Sequence, residues 1–339
     1  MIKTRDYPVG VVGAGSWGTT LANLLAEKGF PVTLWVYEKE LCDILTKTRC
    51  NTSYLPDITL DSNLAFVNDL KTTVSNKKVV LWVTPVKVFA PLFAEALTVS
   101  GDETVHVSAS KGIENNSLKT VSQLARETEQ RFSREKFTVL SGPSFAKEVS
   151  HKMPTAVVIA SPDHKSASLV QELMATPYFR TYTSDDTPGV ELGGALKNVI
   201  AIASGIVEGL GYGHNTRAAL ITRGLAEIIR LGNVEGANPL TFAGLSGIGD
   251  LLLTCTSTLS RNYSVGLKIG RGEKLNDILG KMNMIAEGVY TTTSAHALAL
   301  KSNIDMPIVH EIYNVLFENK DPKHALRDLM SRDLKKETG

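Results

Sequence analysis

An α/β domain followed by an all-α domain is the fold class this 339-residue sequence predicts, divided at residues 1–187 and 188–339. Three observations carry it. Apolar runs of strand length alternate with helical stretches through the first half, which implies a mostly parallel sheet. A glycine motif stands between the first run and the first helix. Near residues 182–188 the pattern changes, and beyond it helical periodicity replaces strand signals.

In chain order, Val9, Gly10, Val11 and Val12 form the first short apolar run. Gly13-Ala14-Gly15-Ser16-Trp17-Gly18 then opens a helix predicted to reach Lys28. In that setting the first glycine makes a tight turn, the second lets a pyrophosphate approach the backbone, and the third allows close helix–strand packing. Free N–H groups and the positive dipole end of the helix face the phosphates. Together with a second strand over 32–36, this is the pattern of a Rossmann dinucleotide site. Sites for NAD place an acid just beyond the second strand, whereas sites for NADP place a cation there. The strand ends here in Val36, Tyr37, Glu38 and Lys39, with no arginine at Val36 or Tyr37. Glu38 therefore favours NADH, while Lys39 leaves NADPH use possible.

Further strands are predicted over 78–83, 104–108, 137–140 and 155–160, with a helix over 88–97. In such sheets ligands bind beyond the carboxyl ends of the strands. Polar turns follow three of them: Thr84-Pro85, Ser110-Lys111-Gly112, and Gly142-Pro143-Ser144-Phe145-Ala146. Their convergence on one crevice marks a ligand site.

The second half opens with a helix over 190–207 that is apolar almost all round, as buried helices are. Lys197 is its only basic residue, amid Gly193, Gly194, Ala195 and Ala201. Two readings are open. Lys197 snorkels to a nearby surface, or it is buried and its pKa falls toward neutrality, where it exchanges a proton. Further helices are expected over 215–231, 286–300 and 308–317. Asp250 follows the glycine-rich turn 244–249 at the head of an apolar helix, as a helix cap or as a functional carboxylate. Ser260-Arg261-Asn262 is either an ordinary helix start or a donor set for a phosphate. Glu287 is either a first-turn helix acid or a ribose ligand. His214, in a glycine-rich loop, reads as a surface residue.

Composition narrows the function classes. With 43% hydrophobic residues the chain has ample core, so global disorder is excluded. A net charge of +1 provides no electrostatic footprint for nucleic acid or an anionic membrane. The start MIKTRDYPVG lacks an apolar signal region, and no run was expected to reach the length of a membrane span. Cys42, Cys50 and Cys255 form no CxxC and no disulfide framework, consistent with a reducing cytosol. Without HExxH or paired Cys/His spacing, no protein-held metal is expected.

Assembled in order, GAGSWGT, SKGIE, SGPSFAKE, ELGGALKNVIAIASGI, GIGDLLLTC, SRNYSVG and IAEGVYTT resemble the NAD(P)-dependent glycerol-3-phosphate dehydrogenases over nearly the whole chain. The resemblance implies a Rossmann domain, a helical substrate domain, a homodimer and catalysis in the cleft between the domains. It implies interconversion of dihydroxyacetone phosphate and sn-glycerol 3-phosphate, a step that supplies phospholipid synthesis. Lys197 matches the family's general acid/base, with Lys111 and Asp250 beside it. Lys111, Gly142, Ser144, Lys197, Asp250, Thr254, Ser260, Arg261 and Asn262 match substrate positions. Gly13, Gly15, Ser16, Trp17, Gly18, Tyr37, Glu38, Lys111, Ala146, Arg261, Ile285 and Glu287 are the corresponding cofactor positions. The alternatives are another two-domain dehydrogenase of the 6-phosphogluconate or 3-hydroxyacid type, and a nicotinamide-binding sensor without chemistry.

Overall fold

A computed structural model describes residues 6–128, 136–282, 285–334 and 336–337. The first half contains β1 (Val9–Val12), α1 (Ser16–Glu27), β2 (Val32–Trp35), α2 (Lys39–Thr48), β3 (Cys50–Asn51), β4 (Leu55–Thr59) and β5 (Leu64–Val67). It continues through α3 (Leu70–Val74), β6 (Val79–Trp82), α4 (Val86–Leu97), β7 (Val105–Ser108), α5 (Val121–Thr128) and β8 (Phe137–Ser141). α6 (Ala146–Ser150), β9 (Thr155–Ala160), α7 (His164–Met174) and β10 (Phe179–Ser184) complete it. These strands make an eight-stranded sheet in the order β10-β9-β8-β7-β6-β1-β2-β5, with β3 and β4 apart as a small antiparallel pair. Every pairing in the large sheet is parallel except β8 with β9.

The interior strands are those the apolar runs predict. β5 is a short apolar run, LAFV, outside the strands expected from the sequence, and β10 carries no such run; both lie at the edges of the sheet. Arg180 and Tyr182 of β10 are exposed between the buried Phe179 and Thr181, the alternation of a strand with one solvated face. An edge strand needs no continuous apolar stretch, and this is why the sequence pattern does not reveal it.

The second half contains α8 (Thr187–Gly209), α9 (His214–Val234), α10 (Asp250–Thr256), α11 (Arg261–Gly270), α12 (Leu275–Gly280), α13 (Glu287–Lys301), α14 (Pro307–Phe317) and α15 (Pro322–Met330). Asp186 caps α8 by accepting from Gly189 N at 3.0 Å, and Pro188 fits its first turn, where no N–H partner is needed. Twenty-three residues long, with an 18-residue window of mean hydropathy 1.5, α8 does have the length and composition of a membrane span, contrary to the sequence expectation. Its apolar window is wholly buried inside the protein. It serves as the core helix of this half, with α9, α10, α11 and α13 packed around it.

Glycines set the closest of these contacts. A methyl on Gly205 or Gly209 of α8 would stand 2.1 Å from Tyr263 O or 2.4 Å from Leu267 O. Reciprocally, a methyl on Gly266 or Gly270 of α11 would stand 2.0 Å from Ile202 O or 2.5 Å from Ile206 O. Two glycines spaced by four on each helix thus let the α8 and α11 backbones touch. The position of α11, which begins at Arg261, is fixed by this contact.

Candidate active site

At the middle of α8, Lys197 is 7% exposed and its ammonium donates to Asp250 Oδ1 and, at 2.9 Å, to Thr254 Oγ1. The snorkelling reading is therefore set aside. Asp250 is the first residue of α10 and is 1% exposed. The cap position belongs to Gly249, so the Asp250 carboxylate is not a helix cap; it turns to the lysines. Its Oδ2 accepts from Lys111 Nζ at 2.7 Å, and the same ammonium reaches Gly142 O at 3.3 Å. Three residues from three separate parts of the chain meet in one buried cluster of two ammonium groups and one carboxylate.

The electrostatics follow from burial. Desolvation pushes the Lys197 pKa down to about 8, Asp250 opposes the fall, and the Lys111 charge adds to it. For Asp250 burial acts to raise the pKa, but the two ammonium groups overrule it and hold the carboxyl below its ordinary value. A base with a pKa near neutrality beside a fixed counter-charge is equipped to give and take a proton. Small residues make room for it. A methyl on Gly193 would strike Ser246 O at 2.3 Å, and one on Gly194 would press on Ser141 Oγ at 2.7 Å and crowd the Lys111 stem.

Around this cluster lie the other predicted positions. Ser144 Oγ donates to Gly142 O at 3.0 Å. Gly142 has a φ of +138°, and a methyl there would meet Val157 Cα at 2.9 Å. Ser260 caps α11 through Tyr263 N, and Asn262 Oδ1 accepts from Gly288 N at 2.9 Å, joining the starts of α11 and α13. Both hydrogen bonds belong to the fold, so the helix-start reading of this triplet holds, and it leaves the Ser260 hydroxyl hydrogen and the Asn262 amide N–H groups as donors. Burial lowers the Arg261 pKa, and the guanidinium is close enough to Glu287 to feel its opposing charge. Glu287 opens α13 and is pushed up to about 7 by burial, against the pull of Arg261 and Lys87. Half-buried Ile285 lies just ahead of it.

The glycine loop fits the dinucleotide that its sequence implies. Methyls on Gly13 and Gly18 would collide with Val83 O at 2.6 Å and Gly13 O at 1.9 Å, so the fold itself requires these two glycines. A methyl on Gly15 would meet nothing within 4 Å. Gly15 is also the cap residue of α1 and offers no side chain to its first turn, so open space adjoins the N-terminus of the helix. Trp17 packs on Phe179, and Ala146 begins α6, its carbonyl accepting from Thr20 Oγ1 at 3.3 Å. At the end of β2, Tyr37 is 74% exposed, and Glu38 Oε1 accepts from the Tyr54 hydroxyl at 3.3 Å.

Tyr54 and Asn51 were not foreseen from the sequence. Asn51 Nδ2 donates to Ala14 O and Thr19 Oγ1, and Ser16 Oγ donates to Tyr54 O, so the β3–β4 pair braces the glycine loop. Thr84, in one of the polar turns noted in the sequence, and Ser141, Ser246 and Thr291, which no sequence pattern singles out, each bury a hydroxyl without a protein partner. Isolated hydroxyl residues carry no sequence signal. His214 begins α9 at the surface, as expected. No group of three or more metal-ligating side chains occurs among the described residues.

Known proteins match this fold over nearly the whole chain. Residues 8–167 match the family model described as NAD-dependent glycerol-3-phosphate dehydrogenase N-terminus, and residues 186–327 match the corresponding C-terminus. A Geobacter metallireducens protein named glycerol-3-phosphate dehydrogenase [NAD(P)+] is 54% identical over 98% of this chain and 99% of its own. The crystal structure of the Coxiella burnetii glycerol-3-phosphate dehydrogenase superposes with a TM-score of 0.91 at 37% identity, covering 96% of this chain and 99% of that one. The Saccharomyces cerevisiae glycerol-3-phosphate dehydrogenase gives 0.82 at 27% identity, with 96% and 99% covered. With a Rossmann-type sheet, a helical second half and both family models matched in order, the chain belongs to the NAD-dependent glycerol-3-phosphate dehydrogenase family.

Proposed function

We propose that the chain interconverts dihydroxyacetone phosphate and sn-glycerol 3-phosphate, with Lys197 as the general acid and base. The observation that carries this reading is the buried Lys197–Asp250–Lys111 cluster. A bound nicotinamide supplies the hydride for the C2 carbonyl. Lys197, as ammonium, gives a proton to the oxygen that becomes the alkoxide, and as amine it takes one in the reverse direction. Lys111 places positive charge where the oxyanion grows. Asp250 orients both lysines and limits the fall of the Lys197 pKa. Ser260, Arg261 and Asn262 hold the substrate phosphate, with Gly142, Ser144 and Thr254 lining the same pocket. Gly13, Gly15, Ser16, Trp17 and Gly18 cradle the dinucleotide, with Ala146, Ile285 and Glu287 around it, and Arg261 touches both ligands. The domain division at residue 187, the homodimer, the cytosolic setting and the supply of phospholipid precursor belong to the same reading and rest on the family.

NADH oxidation by the purified protein with dihydroxyacetone phosphate, and not with unphosphorylated dihydroxyacetone, is the direct test. We expect kcat/KM for NADH to exceed that for NADPH by about 10-fold or more, because Glu38 at the ribose would repel a 2′-phosphate. Its bond to Tyr54 supports a fixed placement there. A clear NADPH preference would mean that Lys39 faces the ribose instead. Arg261→Lys is expected to raise KM for both substrate and cofactor, since lysine lacks the bidentate fork. Removing the substrate phosphate should then cost this variant less than the wild type; equal penalties would place Arg261 outside the phosphate site.

A further inference from the structure

Lys111 follows β7 and belongs to the sheet half in chain order, but the segment it begins is rooted in the helical half. Ile113 belongs to the same buried core as Leu196, Val199, Ala295 and Leu298, and Leu118 packs on that core. Ser294 Oγ of α13 donates to Ile113 O at 3.0 Å. The strongest tie is Glu191, a carboxylate 7% exposed in α8, six residues before Lys197. Its Oε2 accepts from Thr120 Oγ1 at 2.7 Å and Ser122 Oγ at 2.6 Å, and its Oε1 accepts from Ser122 N at 2.8 Å. Three donors from one short segment thus converge on a single buried acid.

We propose that Glu191 is a positioning residue for the reaction: by binding Thr120 and Ser122 to α8, it holds the Lys111 segment in register with Lys197, so that both ammonium groups meet Asp250 in one geometry. The inference rests on the roles given above to Lys111, Lys197 and Asp250. Glu191 touches none of them. Its effect passes through the ten residues of backbone from Lys111 to Thr120, held by Asp250 at Lys111, by the helical core at Ile113 and Leu118, and by Glu191 at Thr120. Removing the Glu191 tie loosens the segment while the sheet, the glycine loop and α8 keep their own contacts. The titratable groups facing Lys197 are Asp250 and Cys255 from α10 and Lys111 from the segment. Withdrawal of Lys111 takes away a charge that depresses the Lys197 pKa, so the pH limb set by Lys197 moves upward.

The test compares Glu191→Ala, Glu191→Gln and Lys111→Ala with the wild type, measuring kcat, both KM values, NADH affinity by fluorescence, thermal midpoint and the pH profile of kcat/KM. Glu191→Ala is expected to lower kcat by about 10- to 100-fold, the usual cost of a displaced group. NADH affinity should stay within about 2-fold, because the glycine loop is not involved. The alkaline limb should shift upward in the same direction as in Lys111→Ala. Glu191→Gln should restore most of kcat and the limb, since an amide still accepts from Ser122 N and both hydroxyls can turn to accept. An unmoved limb in Glu191→Ala, or a glutamine variant no better than alanine, overturns the positioning role. If Lys111→Ala itself leaves kcat and the limb unchanged, the roles of the three-residue cluster fail instead. Should Glu191→Ala not fold, the Thr120→Val/Ser122→Ala double variant, which keeps the carboxylate, is read against the same outcomes.

Discussion

Lys197→Ala is expected to lower kcat by a factor of about 100 or more while leaving NADH affinity nearly unchanged. The ammonium is bound to Asp250 and Thr254, neither of them in the glycine loop, so its loss is expected to remove a proton donor and not a cofactor contact. Burial sets the Lys197 pKa at about 8, which fixes the sign of the pH dependence. Carbonyl reduction needs the ammonium and should slow as pH rises through about 8. Alcohol oxidation needs the amine and should speed up over the same interval. Both limbs should vanish in the alanine variant. Near-normal kcat in Lys197→Ala would falsify the assignment, and identical pH slopes in both directions would remove Lys197 from the proton transfer.

The second large effect is expected from a single methyl. In Gly266→Ala the new carbon would stand 2.0 Å from Ile202 O and 2.8 Å from Ile202 C, both backbone atoms of α8. No rotamer relieves such an overlap, so α8 and α11 must separate along their shared face. Overpacking of this kind costs about 3 kcal/mol or more, to be read as a lowered urea midpoint at unchanged slope. Because Ser260, Arg261 and Asn262 stand at the start of α11, KM for dihydroxyacetone phosphate should rise with it. Gly280→Ala in α12 is the control: nothing lies within 4 Å of the added carbon, and stability should change by less than about 1 kcal/mol. Equal stability of the two variants would show that the helices do not depend on the glycine contact.

How far the molecule was legible in its sequence depended on the kind of signal. Interior strands such as β6 announce themselves as apolar runs because both faces are buried, whereas the edge strand β10, FRTYTS, with one solvated face, does not. Lys197 stood out as the basic residue of an apolar helix, and Gly13, Gly15 and Gly18 as a motif in its proper setting. The meeting of Lys111, Lys197 and Asp250 was not legible from spacing, since it joins distant positions through the packing of α8 against α10 and the β7 turn. It came from the resemblance. Chain order also misleads at Ile113, which is built into the helical core although it precedes β8. Asn51 and Tyr54 went unread because a two-residue strand and a lone tyrosine have no periodicity to detect.

The helix at the centre of the second half is synthesised before its cover. α9, α10, α11 and α13 all follow α8, and α13 ends about 90 residues after it. At ordinary translation speeds that is an interval on the order of 10 s, in which an emerging segment of membrane-spanning length lacks its helical cover. What distinguishes it from a true span is its charge. An ammonium near the middle of a helix opposes bilayer insertion by roughly 3 kcal/mol, and Glu191 and Glu208 add carboxylates toward the two ends of α8. The same charges that give α8 its polar contacts in the folded protein, Lys197 with Asp250 and Glu191 with Thr120 and Ser122, therefore also weigh against insertion of the nascent helix into lipid.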